Sequence, residues 1–380
     1  MGSRRPGPPL ALEPSGLPQR ARRLTGPAMG EPGDALADGQ PTTTAPRVHG
    51  SPIRGHERGS DLNRKRLAAA IAACAALSLA SSLPATAASG EATPVQADPQ
   101  AFTPIELRYW TEAGLRELLG NPVDTEYVEG DISYQHFQNG WLYHSPATGV
   151  HELHGDIAQR FVRSGAHRVL GVPTTDEVAT PDGVGRYNHF TRDASVYWSP
   201  STGAQTVAGT IRKFWSDKGW EAGRLGYPTS STAGTPDGVG VYNHFVGGDG
   251  AGASVYWTKA TGAHSVQGAI RDLWAANGWE NGFGYPSSDE LTTLDGLGRQ
   301  NEFTGKDNPP AAAYWHPGSG AHFVTGAIMQ RWHELRRELS YLGYPTSNPY
   351  EVGDGRTQVD FEGGYIALDQ STGAVIDQPW

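Results

Sequence analysis

A chain of 380 residues with 50 glycines, 28 prolines and 37% hydrophobic residues is rich in turns, which argues against long buried helices. Eleven of its 30 Lys and Arg but only six of its 40 Asp and Glu precede Ala88, so the rest carries 19 basic against 34 acidic side chains, a formal charge near −15. That excess disfavours phosphate-tracking partners, nucleic acid among them, and leaves neutral glycans open.

Residues 1–60, rich in Pro, Gly, Ala and Arg, bury too little apolar surface to fold and read as a disordered extension, with translation expected to begin later, at Met29 or near Arg64. Residues 61–87 read as a signal peptide: basic "NRKR", the apolar run Leu67 to Leu83, and "ATA" before Ala88. The competing transmembrane anchor is disfavoured, because 17 weakly apolar residues are short for a bilayer. Cys74, a loose lipid-attachment match, is the only cysteine. Cleavage at Ala87 therefore leaves a mature chain without thiol chemistry or a membrane span. Residues 88–100 read as a linker.

From Ala101 to Trp380 the chain repeats. Leu-Gly-x-Pro elements begin at Leu119, Leu170, Leu225, Phe283 and Leu342, and a strand-ending marker recurs as "SPATGVHEL", "SPSTGAQTV", "TKATGAHSV", "HPGSGAHFV" and "DQSTGAVI". After the marker, "GTIRKFWSDKGW" and "GAIRDLWAANGW" place Ile211 with Trp215, and Ile270 with Trp274, on one face of a short helix. Gly219 and Gly278 then stand where a left-handed C-cap is wanted, and each following Trp can fold back on the last turn. "AIMQRWHELRRELS" departs from this, and a longer helix is expected there. "TPDG" at Thr180 and Thr235 is a tight turn, followed by a strand, "RYNHF" or "VYNHF", that pairs with "ASVYWS" or "ASVYWT". The fold class is α+β: five units of about 55 residues, each too small to hold a core alone, so that repetition is first a way to fold.

Alternation sorts the strand faces. Phe137, Phe190, Phe245, Phe303 and Phe361 mark a core face, as do Val196 with Trp198, Val255 with Trp257, Ala313 with Trp315, and Ile366 with Leu368. The opposite faces carry Tyr134, Tyr187 and Tyr242, then His136, His189 and His244, then Tyr143, Tyr197, Tyr256 and Tyr314. Aromatic rings stack on sugar faces while hydroxyl and imidazole groups bond sugar hydroxyls, which makes Tyr197, Tyr256, Tyr314, His189 and His244 the candidate ligand-binding residues. The competing reading makes them contacts between units.

The Leu-Gly-x-Pro element, the Asp-Gly-x-Gly turn, the Asn-x-Phe strand and the Thr-Gly-Ala-His marker resemble the LGFP repeat family of actinobacterial cell-envelope proteins over Ala101 to Trp380. The resemblance implies five petal-like subdomains about a pseudo-fivefold axis, associated with the mycolic-acid and arabinogalactan envelope. A closed ring also suits a last unit that stops after its marker strand while the first opens on a helix. In relatives these repeats often trail a mycoloyltransferase or amidase domain, for which five units leave no room here. The third motif residue departs from Phe, being Tyr, Val or Asn.

No catalytic or metal site is expected: one His per unit is not a chelating cluster, Asp249 and Asp307 are single loop carboxylates far short of a calcium site, no spacing selects a carboxylate pair, and no GxSxG elbow occurs. No cofactor is implied. The expected function is an exported, monomeric, non-catalytic module on cell-wall polysaccharide, with a structural envelope protein binding a protein partner as the alternative and a wall hydrolase behind it.

Overall fold

The computed structural model describes residues 101–304 and 309–380. The extension, signal peptide, linker, Cys74 and Asp307 lie outside them. The described residues form five units in sequence, 101–154, 155–208, 209–267, 268–325 and 326–380, each a helix followed by an antiparallel sheet. In the second, the helix Gly155–Arg163 and a short turn of helix, Ala166–Leu170, precede strands Val178–Ala179, Arg186–Phe190, Ala194–Ser199 and Gly203–Ala208, paired in that order. The first unit opens instead on two helices, Pro104–Thr111 and Ala113–Leu119, the former started by a Thr103–Glu106 capping box. The fourth sheet gains Tyr285–Pro286 as a fifth strand.

The helix at Gly209–Asp217 forms because Ile211 and Trp215 share the face that is removed from water, both at 0% exposure. Gly219 follows in the left-handed conformation, at φ 93°, which turns the chain so that Trp220 packs edge-on against Trp215 at 5.2 Å. The expected longer helix in the fifth unit is not formed: Gly326–Glu334 has the same nine residues. Arg336 and Arg337 take the positive φ angles, 75° and 56°, of Gly219 and Trp220. Contacts with the preceding unit hold the chain there: Arg337 donates to Gln300 Oε1 at 3.0 Å, and Glu338 Oε1 accepts from the Leu294 amide.

In the Leu-Gly-x-Pro turn both roles of the glycine hold. Gly171 has φ 83°, and a Cβ there would lie 2.2 Å from Thr191 Oγ1. Each proline then bridges to the core phenylalanine of its own unit, as Pro173 does to Phe190 and Pro228 to Phe245, and all five phenylalanines of that column are buried to 4% or less.

The cores lie between successive units. One joins Tyr197 and Val207 of the second sheet to Ile211 and Trp215 of the next helix and Leu225, Phe245 and Val255 of the next sheet. Three polar staples recur across these seams. Asn188, Asn243 and Asn301, all fully buried, donate through Nδ2 to the carbonyls of Glu152, Thr206 and Ser265 in the preceding unit. The amides of Glu152, Thr206, Ser265 and Phe323 donate forward to Asp176, Ser231, Asp289 and Asn348. Finally the Tyr of Leu-Gly-Tyr-Pro or Phe-Gly-Tyr-Pro donates backward to the turn aspartate of the preceding unit: Tyr227 to Asp182 at 2.8 Å, Tyr285 to Asp237 at 2.7 Å and Tyr344 to Asp295 at 2.6 Å.

This third staple accounts for the departure from Phe at the third motif position. Tyr follows only units that carry Thr-x-D-G, at Thr180, Thr235 and Thr293; Val172 follows a first unit that lacks the turn, and Asn121 follows no unit. The aromatic ring also explains the second turn glycine, since a Cβ on Gly240 would lie 2.8 Å from the Tyr285 ring and 2.6 Å from the Trp257 carbonyl. Burial alone would raise the Asp237 carboxyl, but hydrogen bonds from the Val239 amide, Thr235 and Tyr285 outweigh it and hold the pKa below the ordinary range. The resulting stabilisation is present above the unfolded carboxylate pKa, about 4, and is lost as pH falls below it. Tyr285→Phe should cost about 1.5 kcal/mol in urea unfolding at neutral pH and much less in acid; an equal cost at both would remove Asp237 from the account.

A closed ring is not shown. Each unit keeps its own sheet, and the last strand, Val375–Pro379, completes the fifth sheet by pairing with Gly364–Asp369. The last unit, which stops after its marker strand, thus has a four-stranded sheet of its own. The staples described above connect units adjacent in sequence.

Candidate functional site

Strands Ala194–Ser199, Ala253–Thr258 and Ala311–His316 each place a tyrosine at the seam with the next helix. Tyr197, Tyr256 and Tyr314 are 3%, 3% and 1% exposed. Each meets the helix tryptophan edge-on, with centroids 4.6 Å apart at Trp215, 4.7 Å at Trp274 and 4.6 Å at Trp332. Their placement is that of contacts between units, and burial pushes all three phenols well above the usual range. Across the sheet, Tyr187 stacks on Tyr197 at 4.9 Å and Tyr242 on Tyr256 at 5.1 Å.

His189 and His244 stand at the half-exposed edge of this stack. His189 Nδ1 lies 2.7 Å from Ser195 Oγ, which also accepts from Arg212 Nε at 2.5 Å. His244, Ser254 and Arg271 repeat the arrangement at 2.7 and 2.7 Å. A guanidinium only donates, so each serine oxygen accepts from its arginine and keeps its own proton; donated to Nδ1, that proton sets the tautomer with Nε2–H facing outward. Burial, with the neighbouring Arg212 and Arg271 charges, pushes both imidazoles down to about 4.

Beside each imidazole lies the tryptophan that ends the helix, Trp220 at 5.4 Å and Trp279 at 5.3 Å. The same arginine covers that ring, with Arg212 and Arg271 each 5.1 Å from the centroid. The next residue, Glu221 or Glu280, is 8% exposed, and burial raises its carboxyl. The structure thus brings together His189 with Tyr197, and His244 with Tyr256, around platforms that the strand columns alone do not include. The signal for the missing members was present in the sequence: "IR" and "GWE" recur at equal spacing in the second and third units' connections. Tyr314 belongs to an altered copy, in which Gln300, Glu302 and Arg337 stand at the other positions and His333 Nε2 lies 3.0 Å from the phenol oxygen.

The sequence profile of the LGFP repeat matches five times, over residues 119–168, 170–223, 225–282, 283–339 and 342–376. A search of the curated proteins returns no match. Among solved structures, a mutant of the TCP10 domain of Danio rerio CPAP is 11% identical, over 69% of this chain and 100% of that one, with a TM-score of 0.21. The tricorn protease is 12% identical, over 68% of this chain and 26% of that one, with a TM-score of 0.11. Likenesses at those scores establish no common fold. With five matched repeats occupying most of residues 119–376, the chain belongs to the LGFP repeat family.

Proposed function

We propose that this chain is an exported, non-catalytic module that attaches to envelope glycan, arabinogalactan or peptidoglycan, through weak sites repeated from unit to unit. LGFP repeats are cell-envelope repeat domains, a repeat module class and not a catalytic one. Among the described residues no helix is long and apolar enough to cross a membrane. In this reading the chain acts as a monomer, residues 61–87 direct export and 101–380 do the binding. The observation that carries it is the repeated cluster of a neutral imidazole, an arginine-covered indole and a tyrosine stack at the His189 and His244 seams. Such a cluster suits a neutral polyol: indole faces pack on sugar C–H groups, and imidazole Nε2–H and guanidinium donate to hydroxyl oxygens. Tyr197, Tyr256 and Tyr314 would serve as the buried backing that fixes the exposed members. Two or more weak sites on one scaffold gain by multivalency, because a second contact to a polymer is effectively intramolecular.

The test is co-sedimentation of the chain with cell walls stripped of protein. The double variant His189→Phe and His244→Phe keeps ring volume and removes the Nε2–H, and should lower the bound fraction several-fold at an unchanged melting temperature. Binding should be flat from about pH 5 to about pH 8, because burial and the adjacent arginines keep the imidazoles neutral throughout; a step near pH 6.5, the ordinary histidine value, would contradict that. Equal sedimentation of parent and variant would remove the two histidines as contacts, and failure of the parent to sediment would favour a protein partner.

A further inference from the structure

The first and second units meet at a cleft of about 290 Å³, lined by His154, Asp156, Glu177, Arg186 and Trp198. His154 ends the first sheet, Asp156 begins the second helix, and the others come from the second unit's loop and strands. His154 Nδ1 lies 2.8 Å from Glu152 Oε2 and its Nε2 lies 3.2 Å from Glu177 Oε1, so both ring nitrogens face carboxylate oxygens. Glu152 and Glu177 are 7% and 5% exposed, whereas Arg186, 3.5 Å from Glu177, is half-exposed at the rim. Trp198 Nε1 donates to Asp156 Oδ2 at 3.0 Å, which fixes the indole as one wall.

The repeat supplies its own control. At the seam between the second and third units, the positions of Glu152, His154, Asp156, Glu177 and Arg186 are held by Thr206, Ala208, Thr210, Thr232 and Val241, while the tryptophan remains as Trp257. Between the third and fourth they are Ser265, Gln267, Ala269, Glu290 and Arg299. Small neutral residues therefore suffice to close such a seam. Burying two carboxylates and an imidazole costs desolvation that the fold does not require, and a cleft with that concentration of ionisable groups fits a ligand site.

We infer that this cleft binds one neutral sugar residue of the wall glycan, with Glu177 and Asp156 accepting from its hydroxyls, Arg186 donating to them, and Trp198 forming the wall behind. The inference rests on the glycan reading above and adds a site that the histidine clusters do not include. Charge supports the ligand class: His154, whose pKa is raised by its hydrogen bond to Glu152, and the Arg186 guanidinium stand against three carboxyl groups, of which burial pushes Glu177 up to about 6. The cleft thus holds more acidic than basic side chains, which disfavours an anion, and offers acceptors and a donor together, as a diol requires. Its volume is at the lower end for ligand pockets and suits a small ring.

The experiment transplants the neighbouring seam. A variant with Glu152→Thr, His154→Ala, Asp156→Thr, Glu177→Thr and Arg186→Val carries residues that the chain itself uses one unit later. Calorimetric titration of the full chain with oligosaccharides released from deproteinised walls by mild acid should show at least a tenfold loss of affinity for this variant. The milder pair Glu177→Gln and Asp156→Asn should lose several-fold with circular dichroism unchanged, which keeps the test valid should the transplant fold poorly. Glu290→Thr, at the matching place two seams on, should bind as the parent does. If the cleft variants bind equally well, or Glu290→Thr loses as much, the cleft is not the site while the glycan reading stands. If the parent neither binds the oligosaccharides nor sediments with walls, both fall.

Discussion

Replacing Trp274 by Ala is expected to destabilise the protein by about 3 to 5 kcal/mol and to open the third and fourth units ahead of the others. Trp274 is fully buried and lies where the fourth unit's helix is pressed between two sheets. Its ring meets Tyr256 at 4.7 Å, Trp279 at 5.2 Å and Phe303 at 5.4 Å, so one truncation removes packing from both sides of the seam. Interactions in a repeat array act mainly between neighbours. The loss should therefore appear in hydrogen exchange as faster amides in Ala253–Thr258 and Arg299–Thr304, with the first unit's strands unaffected. Uniform loss of protection would mean that the five units melt as one. The indole nitrogen offers a finer comparison: Trp215 Nε1 donates to the Gly226 carbonyl at 3.2 Å, whereas Trp274 Nε1 is buried without a partner among the described residues. Trp274→Phe should accordingly cost less than Trp215→Phe.

The same seams show what could be read from sequence. Periods of two and of 3.6 depend on local geometry, so the phenylalanine column, the Ile211 and Trp215 face and the "TPDG" turn were all legible; the Gly183 amide does bond the Thr180 carbonyl at 2.8 Å. What the tyrosine columns face was not, because alternation assigns a side of the sheet without saying whether a neighbouring unit covers it. The end of the fifth helix was missed for a related reason. Arg336 adopts a conformation that glycine favours, and the residues after it are held by Gln300 and Leu294 of the preceding unit, contacts that no local pattern reveals. The link between Tyr227 and Asp182 was open to inspection as a correlation between units, Tyr after Thr-x-D-G and Val172 where that turn is lacking, but it acquires meaning only when two units are stacked. For the candidate site, the strand columns yielded His189 and His244; Arg212, Trp220 and Ser195 join them only in three dimensions.

Asn243→Ala should be the most damaging polar substitution, costing about 2 to 4 kcal/mol, and should exceed the same change at Asn188 or Asn301 by about 1 kcal/mol. All three amides are fully buried, and each donates twice: Asn243 Nδ2 to the Thr206 carbonyl at 3.1 Å and the Ser230 carbonyl at 2.8 Å, Asn188 to Glu152 and Thr175, and Asn301 to Ser265 and Ser288. Removing any of them takes a donor from two carbonyls, one of them in the neighbouring unit, although the Thr206 carbonyl keeps the Thr232 amide at 2.8 Å. The three differ at the side-chain oxygen. Asn243 Oδ1 accepts from Thr232 Oγ1 at 2.6 Å, while Asn188 Oδ1 and Asn301 Oδ1 are buried without partners among the described residues. The positions equivalent to Thr232 are Glu177 and Glu290, which offer no hydroxyl. Truncating Asn188 or Asn301 therefore also relieves an unsatisfied acceptor, whereas truncating Asn243 loses a satisfied one and leaves the Thr232 hydroxyl only its longer 3.3 Å contact with the Thr206 carbonyl. Asn243→Asp should be worse than Ala, because it turns a second carboxylate-type oxygen toward the two carbonyls that Nδ2 now serves. Urea midpoints of the three alanine variants, compared at matched slopes, decide the matter: three equal losses would mean that the Thr232 bond contributes nothing and that the two donated bonds alone hold these seams.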